Sequence, residues 1–157
     1  MKPILHALNQ LFEVKSRHLT SGERQLAVSV FGESLRLDSI KIIAHRGVLK
    51  HYAISPNGHI YFHPSNWCED FSKSPLAQQS WLIHELTHVW QIQQGISVVR
   101  KAIFNRQYHY VLEQGKSFLH YGIEQQAQMV QDYFIRKELG QACQAYEVCI
   151  PFLVEHA

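Results

Sequence analysis

WLIHELTHVWQ, residues 81–91, sets two histidines four positions apart, with a glutamate directly after the first. The chain holds 11 histidines, so coincidence has a size: a shuffled chain of this composition would show HExxH roughly 0.05 times. The surroundings raise the motif above chance. Leu82, Leu86, Val89 and Trp90 recur at helical spacing around it. Ser74-Pro75 precedes it as N-cap and first helical residue, and Gly95 follows as a stop. The pattern predicts a helix over residues 75–94.

On that helix His84 and His88 share a face and can direct two imidazoles at one ion. Neutral imidazole suits zinc, and two ligands on one rigid helix lose little entropy on binding. Glu85 lies about 100° further round the axis, beside the ion, where a carboxylate can take a proton from a water that the metal has made acidic. The alternative is two core histidines with a solvated glutamate, but a polar cluster among apolar neighbours is costly to bury without a ligand.

A catalytic zinc takes three protein ligands and keeps one position open. HVWQIQQG (residues 88–95) offers no third histidine, so the ligand comes from elsewhere. YGIEQQAQMVQDYF (residues 121–134) is the candidate: Glu124 and Gln128 lie one turn apart on a predicted helix from Ile123 to Leu139, stopped by Gly140. Ala127 is small enough to let that helix approach. Glu124 is the expected third ligand; a glutamate serving only the helix dipole is the alternative, and His109, His120 and Asp132 are the other contenders. Tyr121, His120 or Tyr110 could face a developing oxyanion, and the residues alone do not choose among them.

Elsewhere, residues 4–14 read as a short amphipathic helix, and Thr20 or Ser21 caps a helix over 22–31 that Gly32 ends. SIKIIAHRG (residues 39–47) and HYAISPNGHIYFHP (residues 51–64) read as strands, the latter folded back at Pro56-Asn57-Gly58. His59, Tyr61 and His63 alternate with Ile60 and Phe62, as in a strand with one face inside. The tail beyond Gly140 suggests one more short helix or strand.

At 157 residues, 46% hydrophobic and 18% charged, the chain reads as a single globular domain over 1–157. A net charge of +2 with scattered basic residues gives no reason to expect nucleic acid. No 18-residue apolar run spans a membrane, and the first 18 residues do not read as a secretory signal, so the expectation is synthesis in the cytoplasm, with any export by a specialised route. Cys68, Cys143 and Cys149 lack CxxC spacing and are expected to be reduced thiols, although Cys143 and Cys149 could pair if oxidised.

HELTHVWQ (residues 84–91) with the downstream EQQAQ (residues 124–128) resembles the gluzincin branch of zinc metallopeptidases. That resemblance implies an α+β zincin-like domain with a small twisted sheet, a central HExxH helix and a glutamate-bearing second helix. It also implies zinc on His84, His88 and Glu124, and Glu85 as general base. LTSGERQLAVSVFGESLRLDSIKI, PNGHIYF, WLIHELTHVWQIQQG and YGIEQQAQMVQDYF, which take in most of residues 19–137, resemble more narrowly the small Vgr-related or Rhs-associated proteins found beside bacterial type VI secretion genes. The implied substrates are a peptide, a protein or a peptidoglycan peptide, and the implied partners are secretion-system proteins. The other reading is a non-catalytic module of that apparatus, stabilised by zinc. The resemblance to the peptidases also implies that GHIYFHP (residues 58–64) borders the cleft as an edge strand able to pair with an extended peptide substrate. One departure stands out. Many gluzincins place an aspartate four residues after the glutamate to orient a zinc histidine, and this chain has Gln128 there.

Overall fold

The computed structural model describes residues 10–96 and 107–154. The sheet has four strands in the order β1-β2-β4-β3: β1 (Glu13–His18), β2 (Lys41–His45), β3 (Ala53–Ile54) and β4 (Ile60–Phe62). β1 runs antiparallel to β2, β2 parallel to β4, and β4 antiparallel to β3, pairing Ile54 with Tyr61 and Ala53 with Phe62. The β3–β4 hairpin turns where expected, with Gly58 at φ +85°, a backbone region that favours glycine.

Helix α1 (Ser21–Phe31) starts on the expected cap. Thr20 Oγ1 accepts from the Glu23 N–H, and the Glu23 carboxylate accepts from the Thr20 N–H, a reciprocal capping box. Helix α2 (Leu76–Gln93) carries the HExxH motif. Its cap is Pro75, and no side chain caps it, so Ser74 lies one residue outside its expected place. The other end closes as expected, with Gly95 at φ +77° and the Ile96 N–H bonded back to Gln91 O. Helix α3 (Ile123–Glu138) ends the same way at Gly140, and the short α4 (Gln144–Cys149) and α5 (Pro151–Val154) form the tail.

The α+β layers follow from which faces are apolar. Ile42, Ile60 and Phe62 on one sheet face pack with Leu82, Ile83 and Leu86 of α2, and Met129, Val130 and Phe134 of α3 complete the same core. Ile43, Val48 and Tyr61 make a smaller cluster on the other sheet face. That second cluster is why Tyr61 is buried along with Ile60 and Phe62, where alternation predicted one covered face.

Two expectations need correction. The helix expected over 4–14 falls largely outside the described residues; residues 10–12 are helical, but from Glu13 onward the chain is strand β1. And β4 is an interior strand with β2 and β3 on its two sides, so GHIYFHP cannot offer a free edge; the edge beside it is β3. Among the described residues no helix is long and apolar enough to cross a membrane.

Candidate metal centre

α2 is buried on nearly every side from Leu82 to Gln91. Its apolar residues face the sheet and the shared core, while His84, His88 and Gln91 meet α3. Ala127, wholly buried, keeps that crossing close. Glu124, in the first turn of α3, is brought against both histidines: its Oε2 lies 3.2 Å from His84 Nε2 and 3.2 Å from His88 Nε2. His84, Glu85 and His88 also offer ligand-type atoms that lie within 4.8 Å of one another.

The hydrogen bonds around the ring fix what those atoms are. Gln91 Nε2 donates to Ile123 O and to Gln126 Oε1, so its carbonyl oxygen is the atom 2.8 Å from His88 Nδ1. Ser80 Oγ donates to Ala77 O and so accepts from Gln131 Nε2, which turns Gln131 Oε1 toward His84 Nδ1 at 3.0 Å. Both Nδ1 atoms face oxygen acceptors and must carry the proton. In the neutral rings both Nε2 lone pairs then point at a carboxylate oxygen. Three acceptors converging on one buried point need a cation between them.

The metal-free protein supplies that cation as a proton. Burial opposes charge on His88, but its hydrogen bond to Glu124 and the charges of Glu85 and Glu124 outweigh it and raise the imidazole to about 9. Burial likewise opposes charge on Glu124, and its bonds to His84 and His88 hold the carboxyl far below the usual range. A zinc ion fits the same place. Ligands at about 2.0–2.1 Å around a tetrahedral zinc lie about 3.3 Å from each other, close to the two 3.2 Å separations seen. Two nitrogens and a carboxylate oxygen are also a donor set that zinc favours.

Glu85 is set apart from this trio. Its Oε2 accepts from the hydroxyl of Ser55, 2.9 Å away and buried at the end of β3. That bond holds the carboxylate beside the histidines, where Glu124 already occupies the position between them.

The remaining candidates lie elsewhere. Tyr121 is buried, and its hydroxyl accepts from the Glu113 N–H and donates to Val111 O, so it is committed to backbone. His120 is exposed at the end of the 3₁₀ turn before α3, and His109 is exposed on the segment approaching it. Tyr110 donates to Asp132 at 2.5 Å, and Gln128 Nε2 donates to the other Asp132 oxygen at 2.8 Å. Gln128 therefore orients Asp132, and neither reaches the histidines. Gln91, Gln131 and Ser55, which bond His88, His84 and Glu85, are the neighbours of the candidate site that sequence reasoning missed. A signal existed for one of them, since Gln91 lies three residues after His88 on the same helix face.

No family model matches this chain. The type VI secretion system spike protein VgrG2b of Pseudomonas aeruginosa is 40% identical to it over 80% of this chain, which spans only 14% of that relative's length. The solved effector domain of the same P. aeruginosa protein superposes with a TM-score of 0.74 at 35% identity, covering 86% of this chain and 82% of that domain. At that identity and coverage, the chain belongs to the Vgr-related family of the VgrG2b effector domain.

Proposed function

We propose that this protein is a zinc-dependent peptidase of zincin-like fold that acts as an effector of a type VI secretion system. The observation that carries the reading is the convergence of His84 Nε2, His88 Nε2 and Glu124 Oε2 beside a separately anchored Glu85. A structural zinc closes its shell with four protein ligands and has no use for a neighbouring base. The similarity to a spike protein and to its effector domain supports the secretion context.

His84, His88 and Glu124 would hold the ion, and Gln131 and Gln91 would fix the two rings through their Nδ1–H groups. When bound, zinc supplies Lewis acidity toward a carbonyl and makes water acidic near neutral pH. Glu85 takes the proton as the water oxygen bonds to the amide carbon, then delivers it to the leaving nitrogen as the C–N bond breaks. Ser55 keeps the Glu85 carboxylate on that line. Because Ser55 directly follows the edge strand β3, a peptide paired with Ala53–Ile54 would pass close to Glu85. The substrate class is a peptide, a protein segment or a peptidoglycan peptide.

Glu85→Gln tests the reading, since it keeps the shape and removes the base. Zinc content should stay at about one per chain, while turnover of any peptide cleaved by wild type should fall by about 10²–10⁴-fold. Cleavage is read by mass spectrometry on secretion-system proteins and peptidoglycan peptides, with chelator abolishing it and zinc restoring it. Equal cleavage by the variant removes Glu85 from its role. A zinc-loaded wild type that cleaves nothing leaves a non-catalytic, zinc-stabilised module.

A further inference from the structure

Beyond Glu124, the same face of α3 walls an open cleft of about 490 Å³, within the range of small-ligand sites, about 300–1,000 Å³. Its walls include Tyr108, His109, Tyr110, Tyr146, Gln128 and Asp132. The cleft adjoins the metal centre, because the Tyr108 ring lies 6.0 Å from the His84 ring, centroid to centroid. Asp132 lies two turns past Glu124, about 12 Å along the helix axis, within reach of a residue next to the one held at the metal.

The polar groups bonded around Asp132 point one way. Tyr110 donates its only proton to Asp132 Oδ2, so Tyr146, 3.0 Å from the Tyr110 oxygen, is the donor in that second contact. Gln128 turns its amide nitrogen to Asp132 Oδ1 and leaves its carbonyl oxygen as an acceptor. Burial, reinforced by the bond to Asp132, pushes the Tyr110 phenol far above its ordinary range, so it stays neutral and remains the donor in that bond. The ion pairs among the described residues give Asp132 no lysine or arginine partner. Around Asp132 the cleft thus presents acceptors, a carboxylate and tyrosine rings whose faces attract cations, with the exposed His109 at its wall.

We infer that this cleft is a subsite for a cationic side chain, an ammonium or guanidinium group, on the peptide held at the metal centre. Such groups carry donors and no acceptors, the complement of what the cleft presents. A carboxylate ligand would meet Asp132 with like charge, and an aliphatic one would leave the acceptors unmatched. As a specificity determinant the inference rests on the peptidase reading; the binding itself does not.

The test therefore has two arms. In the first, Nα-acetyl-lysine amide, Nα-acetyl-arginine amide and the uncharged Nα-acetyl-norleucine amide are titrated into the zinc-loaded protein, and tyrosine ring signals are followed by NMR. One or both cationic probes should bind about tenfold more tightly than norleucine. Asp132→Asn should erase that difference, and Tyr146→Phe, which keeps the ring, should preserve most of it. Equal binding of all three probes, no binding of either cationic one, or a preference that survives Asp132→Asn overturns the subsite. In the second arm a peptide library is digested. Cleavage sites flanked by lysine or arginine support the subsite, and cleavage indifferent to them overturns it. A protein that binds the cationic probes but cleaves nothing overturns the peptidase reading and leaves the cation site standing.

Discussion

Two buried glutamates divide this molecule into a region finished by its own chain and one that is not. Glu23, wholly buried, accepts from Arg17 Nη1 and Nη2 at 2.7 Å each, from the Thr20 N–H at 2.9 Å and from the Phe71 N–H at 2.8 Å. Every partner is a donor, and the charge is balanced by Arg17. It ties β1, α1 and the turn at Phe71 together. Glu124 is nearly as buried, yet it faces two imidazole nitrogens whose other sides are already committed as donors. Burial alone does not mark a functional carboxylate. What marks it is a set of partners that balances only when something is added.

The largest effect expected from this contrast separates folding from metal binding. Glu23→Ala strands a mostly buried arginine, and breaking such a pair costs about 3–5 kcal/mol. The variant should melt much earlier than wild type, while added zinc still raises whatever melting temperature remains. Glu124→Ala should do the reverse, losing less in the metal-free state than Glu23→Ala does but gaining little from zinc, because metal binding contributes to folding free energy only where the site holds. If zinc stabilises Glu124→Ala as strongly as wild type, Glu124 is not a ligand.

The same contrast explains what could be read in the sequence. The start of α1 was legible to within one residue, Thr20 or Ser21, because a helix cap is local, and the structure resolves it as Thr20 with Glu23 answering it three residues on. His84, Glu85 and His88 were legible for the same reason, on one helix. Glu124 was reached through the small Ala127 beside it and a family resemblance, since its partners lie 40 and 36 positions away. β1 was not legible. EVKSRH has no apolar alternation, and most of it is exposed; its strand state comes from pairing with β2. Ser55 and Gln131 carried no signal either, because a serine in a hairpin and a glutamine on a polar helix face look ordinary until another element closes over them.

A pH series sharpens the comparison in the metal-free protein. His88 in the fold holds its proton up to about 9, whereas an unfolded imidazole releases it near 6.5. Between those values the folded state binds more protons, so the stabilisation is fully present below about 6.5 and is lost as pH rises through about 9. Urea melts from pH 6 to 9.5 without metal should show stability falling across that window. With zinc bound the ion replaces the proton and that fall should disappear. A metal-free profile that stays flat would mean that Glu124 is balanced without a cation.

Next in size are the amides that aim the rings. Gln131→Ala or Gln91→Leu removes the acceptor for one Nδ1–H, and losses of this kind typically weaken metal binding by about 10–100-fold. Competition with a chromophoric chelator measures it. Gln128→Ala is the control, since Gln128 bonds Asp132 rather than a histidine, and it should leave zinc affinity unchanged. Should Gln128→Ala weaken zinc as much as Gln131→Ala, the position four residues after the glutamate keeps an orienting role that its hydrogen bonds do not suggest.

The smallest effect belongs to Ser55, and it separates aiming from holding. Its hydroxyl bonds Glu85 and no histidine, so it bears on the base and leaves the ion alone. Ser55→Ala keeps the β3 backbone and frees the carboxylate to rotate. If the peptidase reading holds, kcat should fall by about tenfold or less, equivalent to ~1.4 kcal/mol of barrier, with KM and zinc content unchanged. Ser55→Thr restores a hydroxyl at the same position and should recover most of the rate. A rise in KM at constant kcat would assign Ser55 to peptide binding along the β3 edge. A loss of zinc would mean that the hairpin and the metal centre are coupled, and that Glu85 and Glu124 do not divide the labour as their contacts indicate.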